Sequence, residues 1–438
     1  MTEEENELLT RTGPDTPCGE FMRRYWQPAA LSEELLAGGA PLTIRLLNED
    51  LVLFRDDLGR PGLLGLYCSH RGADLSYGRV EDGGLRCIYH GWLYNVDGKV
   101  LDQPSEPEGG RLARDSVCHL AYPCIEKAGV IFAYMGKGEP PLLPNFEFLA
   151  VPNDWVFTEK RFHECNYLQG NEGNIDFYHL SFLHYNHKNK GIGGGWQGLD
   201  SGAAEEKLSG RGAAPGLETV DAEIKEFGVR CYKIRRNLGP DQYQLYIQDF
   251  ILPAITAFPG LSKGTGGFMA HWHVPIDDTK HWKYSFIFSN QEPLDKMLIR
   301  TRDDPVGPGF IPLRNKRNRY LQDRDLMKTQ SYCGIESPKG VGLAFHAQDR
   351  CVVEGQPIQD RPKEHLVSMD RLIVVARKIL LSAIKDATNG KDPPVVIRKP
   401  EKNRFPIVTF NGVLPNEKNW RDHAKELEDK LRFFSKDL

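Results

Sequence analysis

Over residues 42–135 apolar and polar positions alternate in short stretches divided by turn residues. Leu51–Phe54 is a brief apolar run that stops at Asp56-Asp57-Leu58-Gly59, and Ile88–Val96 leads into Asp97-Gly98 before Val100. An Asp-Gly pair between apolar runs is a strong hairpin signal, because both residues tolerate the positive φ of a tight turn. This stretch predicts a small antiparallel β unit. Residues 1–40 read as an arm with helical stretches, and the prolines of Gly138–Pro144 mark a boundary. Beyond it, residues 155–190 read as helical in the middle. Strand-like stretches follow at Val229–Ile234, Tyr243–Leu252, Phe268–Val274 and His281–Phe288. Pro362–Asn389 sets Leu366, Met369, Ile373, Ala376, Leu380 and Ile384 on one helical stripe and stops at Asn389-Gly390. A charged helix is expected over Asn416–Phe434. Asn186–Gly216, rich in glycine and poor in apolar residues, predicts a mobile loop. The expected class is α+β, with a β-rich unit over 1–145 and, over 146–438, an antiparallel sheet flanked by helices.

Composition narrows the function classes. The 438 residues suggest two or three domains. With 56 basic and 60 acidic residues the net charge is −4, which leaves no electrostatic footprint for nucleic acid. No apolar run reaches the length of a membrane span; the nearest, Leu372–Ile384, is interrupted by Arg377 and Lys378. The acidic start MTEEENELL lacks the pattern of a secretory signal, so a cytoplasmic location is expected. Nine cysteines, an odd number, then favour metal ligation or burial over disulfides.

Two ligand pairs stand out. Cys68-Ser69-His70 and Cys87-Ile88-Tyr89-His90 each join one thiolate to one imidazole, and each precedes a turn residue, Gly72 or Gly91. Two cysteines and two histidines suit zinc in type, but zinc fingers pair like ligand with like. One of each kind per turn suits a Rieske [2Fe–2S] cluster, in which two thiolates hold one iron and two imidazoles the other; zinc is the alternative.

With His70-Arg71-Gly72 and His90-Gly91-Trp92, these motifs resemble those of the Rieske non-haem iron ring-hydroxylating oxygenases. The phthalate dioxygenase-like branch, with its aromatic-acid hydroxylases and O-demethylases, is the nearer likeness. The resemblance covers nearly the whole chain, because a second motif, Asp176-x2-His179-x4-His184, follows where that family needs it. Two imidazoles and a carboxylate hold Fe(II) on one face and leave the other open. The resemblance makes His179 and His184 ligands and Asp176 a bridge that links the mononuclear iron to a cluster histidine of a neighbouring subunit. At 100° per residue Asp176 and His179 share a helix face, whereas His179 and His184 do not. A break is therefore expected near Ser181 or Phe182. Asp349, in His346-Ala347-Gln348-Asp349-Arg350, is the expected carboxylate ligand, with Glu354 behind it and Asp360 better placed as a helix start.

The resemblance further implies a helix-grip catalytic domain over 146–438, a cytoplasmic homotrimer or dimer of trimers, and electrons from an NADH-dependent flavin and iron–sulfur reductase or a ferredoxin. No Gly-x-Gly-x-x-Gly fingerprint follows a strand, so the chain itself shows no dinucleotide site. An aromatic, carboxylated substrate would meet O₂ at the iron and be ring-hydroxylated, as by a dioxygenase or monooxygenase, or O-demethylated. Arg230, Arg235 and Arg236 are candidates for its carboxylate, and Asn186–Gly216 for a lid. His187 reads as a surface or pocket residue. The rival reading is a Rieske electron carrier without oxygenase activity, which would have no use for His179, His184 or Asp349.

Overall fold

The computed structural model describes residues 1–107, 116–187, 191–192, 218–236, 241–259, 267–302, 304–336 and 344–434. Most of the expected loop over Asn186–Gly216 lies outside the described residues, so the lid reading does as well.

Two short helices open the chain. In α1 (Glu3–Thr10) Thr2 and Glu5 form a reciprocal capping box, and α2 (Pro17–Arg23) starts with proline at its first turn behind the Thr16 cap. Cys18, Phe21 and Met22 bury the inner face of α2.

Three small antiparallel sheets follow. Strands β1 (Trp26–Leu31), β2 (Leu42–Leu46), β3 (Glu49–Arg55), β4 (Pro61–Gly65), β5 (Arg79–Glu81), β6 (Gly84–Arg86), β7 (Leu93–Tyr94), β8 (Val100–Asp102), β9 (Ala121–Tyr122), β10 (Cys124–Lys127) and β11 (Val130–Tyr134) pair in the orders β1-β11-β10, β2-β3-β4-β9 and β5-β6-β7-β8. The Asp97-Gly98 turn joins β7 to β8 as expected. Gly98 has φ +77°, and a Cβ there would stand 2.2 Å from the His119 carbonyl oxygen, so only glycine fits. Val52, Phe54, Leu64, Leu75, Leu85 and Tyr94 form a core that also buries Cys68 and Cys87.

The second half is built on a large antiparallel sheet. Its strands are β12 (Val156–His163), β13 (Glu218–Lys225), β14 (Gly228–Arg235), β15 (Gln242–Ile251), β16 (Ile255–Pro259), β17 (Phe268–Asp277), β18 (Lys280–Phe288) and β19 (Phe410–Pro415). The order is β12-β18-β17-β16-β15-β14-β13, with β19 beside the first part of β15. All four strand-like stretches of the sequence lie in it. Alternation gives the sheet two unlike faces. On one, Trp272, Tyr284, Phe286 and Phe288 are buried with Phe146, Phe148 and Phe132. On the other, the cross-strand pairs His163–His281, Arg161–Lys283, His273–Lys283 and His271–Ser285 make a buried polar layer.

Helix α3 (Tyr167–Ile175) packs on that layer, near α4 (Phe345–Val353) and α5 (Arg371–Thr388), and α6 (Trp420–Phe434) follows β19. The expected helix over Pro362–Asn389 begins only at Arg371. Residues Ile358–Lys363 and Ser368–Asp370 are separate 3₁₀ turns, and Pro362, which lacks an N–H, lies in the first. Leu366 is accordingly exposed, and the buried stripe is Leu372, Ala376, Leu380, Ala383, Ile384 and Ala387. The N-terminal helices close on α5, where Arg24 Nη2 donates to the Ala387 carbonyl at 2.9 Å.

Candidate metal centres

The two Cys/His loops have the same construction. Cys68 N donates to Ala73 O at 2.8 Å, and Gly72 N donates back to Cys68 O at 2.8 Å. Cys87 N donates to Trp92 O at 2.8 Å, and Gly91 N to Cys87 O at 3.0 Å. Gly72 (φ +71°) and Gly91 (φ +77°) supply the left-handed residue that each loop needs. The pairing brings the His70 and His90 rings to 4.5 Å between centroids, with His70 stacked on Trp92 at 4.9 Å. Both thiols are buried, and Tyr94 OH lies 3.1 Å from Cys68 Sγ. A brace runs behind them, from Ser69 Oγ to His119 Nδ1 (2.7 Å) and from His119 Nε2 to Gly65 O (2.9 Å).

The set fits a two-iron cluster. His70 Nδ1 is buried with no protein partner, as a ligand atom would be. Thiolates on one side and imidazoles on the other are the donors that such a cluster takes. Among the described residues, the side chains close enough to share one ion, with ligand atoms within 4.8 Å, lie elsewhere.

One of those groups is His179, His184 and Asp349. Helix α3 ends at Ile175, and Asp176 caps it with extended backbone (φ −78°, ψ 119°). Asp176 Oδ1 then accepts from Tyr178 N at 2.7 Å and starts the 3₁₀ turn His179–Ser181, which closes at Phe182. The helix therefore ends before Asp176 and His179, earlier than the expected break near Ser181 or Phe182, and what closes at Phe182 is a separate 3₁₀ turn. Asp176 and His179 thus do not share one regular helix; the turn still sets Asp176 Oδ2 3.7 Å from His179 Nδ1. Helix α4 supplies Asp349 from the opposite side. Its Oδ1 lies 2.9 Å from His184 Nε2 and 3.5 Å from His179 Nε2.

Gln348, which the sequence reading missed, decides the chemistry of His184. Gln348 Nε2 donates to Ile335 O at 2.6 Å, so its Oε1 faces His184 Nδ1, also at 2.6 Å. His184 therefore carries a proton on Nδ1 and turns Nε2 toward Asp349. Nε2 is buried and lies 2.9 Å from Asp349 Oδ1. With the proton on Nδ1, Nε2 and the carboxylate can both serve as ligands to one cation. Burial alone would raise the Asp349 acid, yet His184, His179 and Lys283 hold it well below the carboxylate range. Asp176 is likewise held low against the effect of burial, chiefly by His179.

The other compact group is His163, Cys165 and His281. A hydrogen-bonded chain argues against a metal there. Asn174 Nδ2 donates to Gly170 O (3.0 Å) and to His273 Nε2 (2.6 Å), His273 Nδ1 donates to His281 Nε2 (2.9 Å), and His281 Nδ1 donates to Cys165 O (2.8 Å). Both nitrogens of His281 are therefore engaged, and burial pushes the Cys165 thiol well up, away from the thiolate.

The remaining candidates fall away from the centre. Arg230 is bound by Asp249 at 2.8 and 2.9 Å and by Glu428 at 3.0 Å, Arg235 lies 3.5 Å from Glu218, and Arg236 is exposed. Glu354 accepts from Tyr320 OH and from Glu164 N. His187 Nε2 bonds Met327 O at 3.1 Å. Asp349 rather than Glu354 thus joins the histidines.

A paired Cys/His cluster site ahead of a separate two-histidine, one-aspartate site defines an iron–sulfur oxidoreductase with a second metal centre. Residues 25–123 match the Rieske [2Fe-2S] domain and residues 133–434 the LigXa C-terminal domain-like family. The phthalate 4,5-dioxygenase oxygenase subunit of Pseudomonas putida is 33% identical over 97% of this chain and 94% of its own. The 5,5'-dehydrodivanillate O-demethylase oxygenase subunit of Sphingobium sp. is 29% identical over 94% and 87%. The terminal oxygenase of carbazole 1,9a-dioxygenase from Nocardioides aromaticivorans IC177 shares the fold, at TM-score 0.53 and 17% identity over 87% of this chain and 97% of that one. The chain belongs to the Rieske non-haem iron oxygenases, in the branch with the phthalate 4,5-dioxygenase oxygenase subunit. It is an oxygenase component whose cofactors are a Rieske [2Fe–2S] cluster and a mononuclear iron.

Proposed function

We propose that Cys68, His70, Cys87 and His90 hold the cluster, that His179, His184 and Asp349 hold the iron, and that the enzyme oxidises a carboxylated aromatic compound. When bound, the cluster supplies electrons one at a time and the iron supplies the redox chemistry that activates O₂. The protein's own residues do the rest. Gln348 favours the His184 tautomer with its proton on Nδ1, and Asp176 Oδ2, 3.7 Å from His179 Nδ1, favours the same tautomer there, which leaves both Nε2 atoms facing Asp349. Asp349 supplies the negative charge that offsets the cation's burial.

The observation that carries this reading is the convergence of His179 Nε2, His184 Nε2 and an Asp349 oxygen within 4.8 Å. It also counts against the carrier reading, since a carrier needs no such convergence. The relatives' names favour an aromatic acid and leave ring hydroxylation and O-demethylation as the two outcomes. We further propose a division near residue 145, a cytoplasmic trimer or dimer of trimers in which Asp176 meets a cluster histidine of the next subunit, and electron supply from an NADH-dependent reductase or a ferredoxin. Tyr67, Tyr77, Ile88 and Tyr89, exposed around the cluster loops, suit such docking.

Iron analysis tests the site. The purified protein is expected to hold three irons per chain, and the His179→Ala/His184→Ala variant two, with its visible spectrum intact and its O₂ uptake lost. Asp176→Asn is expected to keep all three irons and lose turnover. Two irons in the parent protein, or unchanged O₂ uptake in the double variant, would overturn the reading.

A further inference from the structure

His119 lies outside both Cys/His loops, yet it ties them together. It is 4% exposed, and its segment is fixed on two sides: His119 N donates to Gly98 O at 3.0 Å, and Gly65 N donates to Leu120 O at 2.9 Å. Both ring nitrogens are engaged. Nε2 faces Gly65 O at 2.9 Å, and a carbonyl only accepts, so Nε2 carries a proton. Burial lowers the proton affinity of this imidazole and keeps it neutral, so Nδ1 accepts from the Ser69 hydroxyl at 2.7 Å. Ser69 stands between Cys68 and His70, the proposed ligands of the first loop. The same ring packs on Tyr94, 4.6 Å between centroids at 35°. Tyr94 belongs to β7, which follows the second loop, and its ring is fully buried with the hydroxyl 3.1 Å from Cys68 Sγ. A thiolate bound to iron has no proton to give, so Tyr94 donates in this contact. One imidazole therefore holds the first loop through Ser69 and also backs the tyrosine that reaches that loop from the second.

We propose that His119 is a positioning residue for the cluster: by clamping Ser69 and backing the Tyr94 ring it keeps the Tyr94 hydroxyl on Cys68 Sγ, and so raises the cluster's reduction potential. This rests on the reading of Cys68, His70, Cys87 and His90 as the cluster ligands. A hydrogen bond to a thiolate is charge-assisted and draws negative charge from the sulfur. Reduction brings one electron from the external donor onto the cluster, so the bond is stronger in the reduced form and favours it. Hydrogen bonds to the sulfurs are among the levers that set such potentials. Such a bond depends on angle as well as distance, so the ring that carries the hydroxyl has to be held. His119 acts through Ser69 and Tyr94, and its effect on the potential therefore vanishes once the Tyr94 hydroxyl is gone.

The test is a dye-monitored redox titration of the purified full chain with its cluster in place, followed by visible absorption. Tyr94→Phe, which removes only the hydroxyl, is expected to shift the one-electron equilibrium roughly tenfold toward the oxidised form, a drop of about 59 mV. His119→Leu is expected to lower the potential in the same direction, by the equivalent of roughly three- to tenfold. The double variant is expected to fall no lower than Tyr94→Phe, because both changes remove the same hydrogen bond. His119→Gln, whose amide can still accept from Ser69 and donate to Gly65 O, is expected to restore most of the parent value. An unchanged potential in Tyr94→Phe or in His119→Leu, drops that add in full in the double variant, or a His119→Gln potential as low as that of His119→Leu each overturns the proposal. Should His119→Leu not retain its cluster, Ser69→Ala takes its place in the same cycle, and an unchanged potential or full additivity there overturns the proposal equally. Failure of the underlying reading looks different: the parent protein then shows no visible absorption and no one-electron couple, or keeps both when Cys68 and His70 are replaced.

Discussion

Gln348 acts on the metal site at one remove. It touches no ligand lone pair, yet its Oε1 keeps the His184 proton on Nδ1 and frees Nε2. Groups that orient a ligating imidazole typically contribute 10- to 100-fold in metal affinity. Gln348→Leu removes the acceptor and preserves much of the volume. The expected result is a mononuclear site that yields its iron to a chelator at roughly 10- to 100-fold lower chelator concentration. The cluster's visible absorption should be unchanged, because the Cys/His loops stand in a separate core. This residue also marks how far the sequence could be read. Cys68, His70, Cys87 and His90 are legible because all the chemistry of each loop fits in four or five consecutive residues. Asp349 was inferred from its place in the chain. Gln348 sits beside it in the same pentapeptide, but nothing local distinguishes a glutamine that orients a histidine 164 residues away.

At the scale of single elements, α3 is held by charge. Glu172 is buried between Arg361 at 2.6 Å and Arg377 at 2.7 Å, and Arg377 also binds Glu364 at 2.8 Å. Arg377 belongs to α5, so this network joins the helix that leads into Asp176 to the longest helix of the fold. Removing one partner of such a group leaves the others as uncompensated buried charge, which typically costs about 3–5 kcal/mol. Glu172→Ala is therefore expected to lower the thermal midpoint, and mononuclear iron should be released in the heating scan before the cluster bleaches. Release of both together would refute this order. The same helix shows why element boundaries were harder to foresee than elements. The 3.6-residue stripe is real from Leu372 to Ala387, but its apparent start at Leu366 is an accident of composition ahead of a proline-containing turn. In the sheet the missed signal was period two. His271-Trp272-His273 and His281-Trp282-Lys283 alternate polar and aromatic residues, which reads as an ordinary half-exposed strand until the polar face proves to be covered by helices.

Across the whole molecule that covered polar face makes stability depend on pH. Burial, the leading cause in each case, pushes the His163 and His273 imidazoles well below their ordinary range and His281 down to about 4. Each therefore stays neutral in the folded protein while its unfolded counterpart takes a proton near pH 6.5. Below that pH the unfolded chain binds more protons, so the stability present above pH 6.5 is lost progressively as pH falls toward 4. Each such histidine contributes at most about 1.4 kcal/mol per pH unit to the slope. Thermal midpoints measured from pH 7.5 to pH 5 should fall steeply below pH 6.5, and a flat profile there would show that these imidazoles are not held neutral.

The contact between Arg24 and Ala387, 363 residues apart, has a consequence for synthesis. The ribosome makes Phe21 and Met22 long before α5, the helix that α2 closes on, exists. Until that helix is made, the face of α2 that it covers has no partner. A growing polypeptide of this design therefore leaves that face uncovered until late in synthesis, and contacts so far apart in sequence form late in folding.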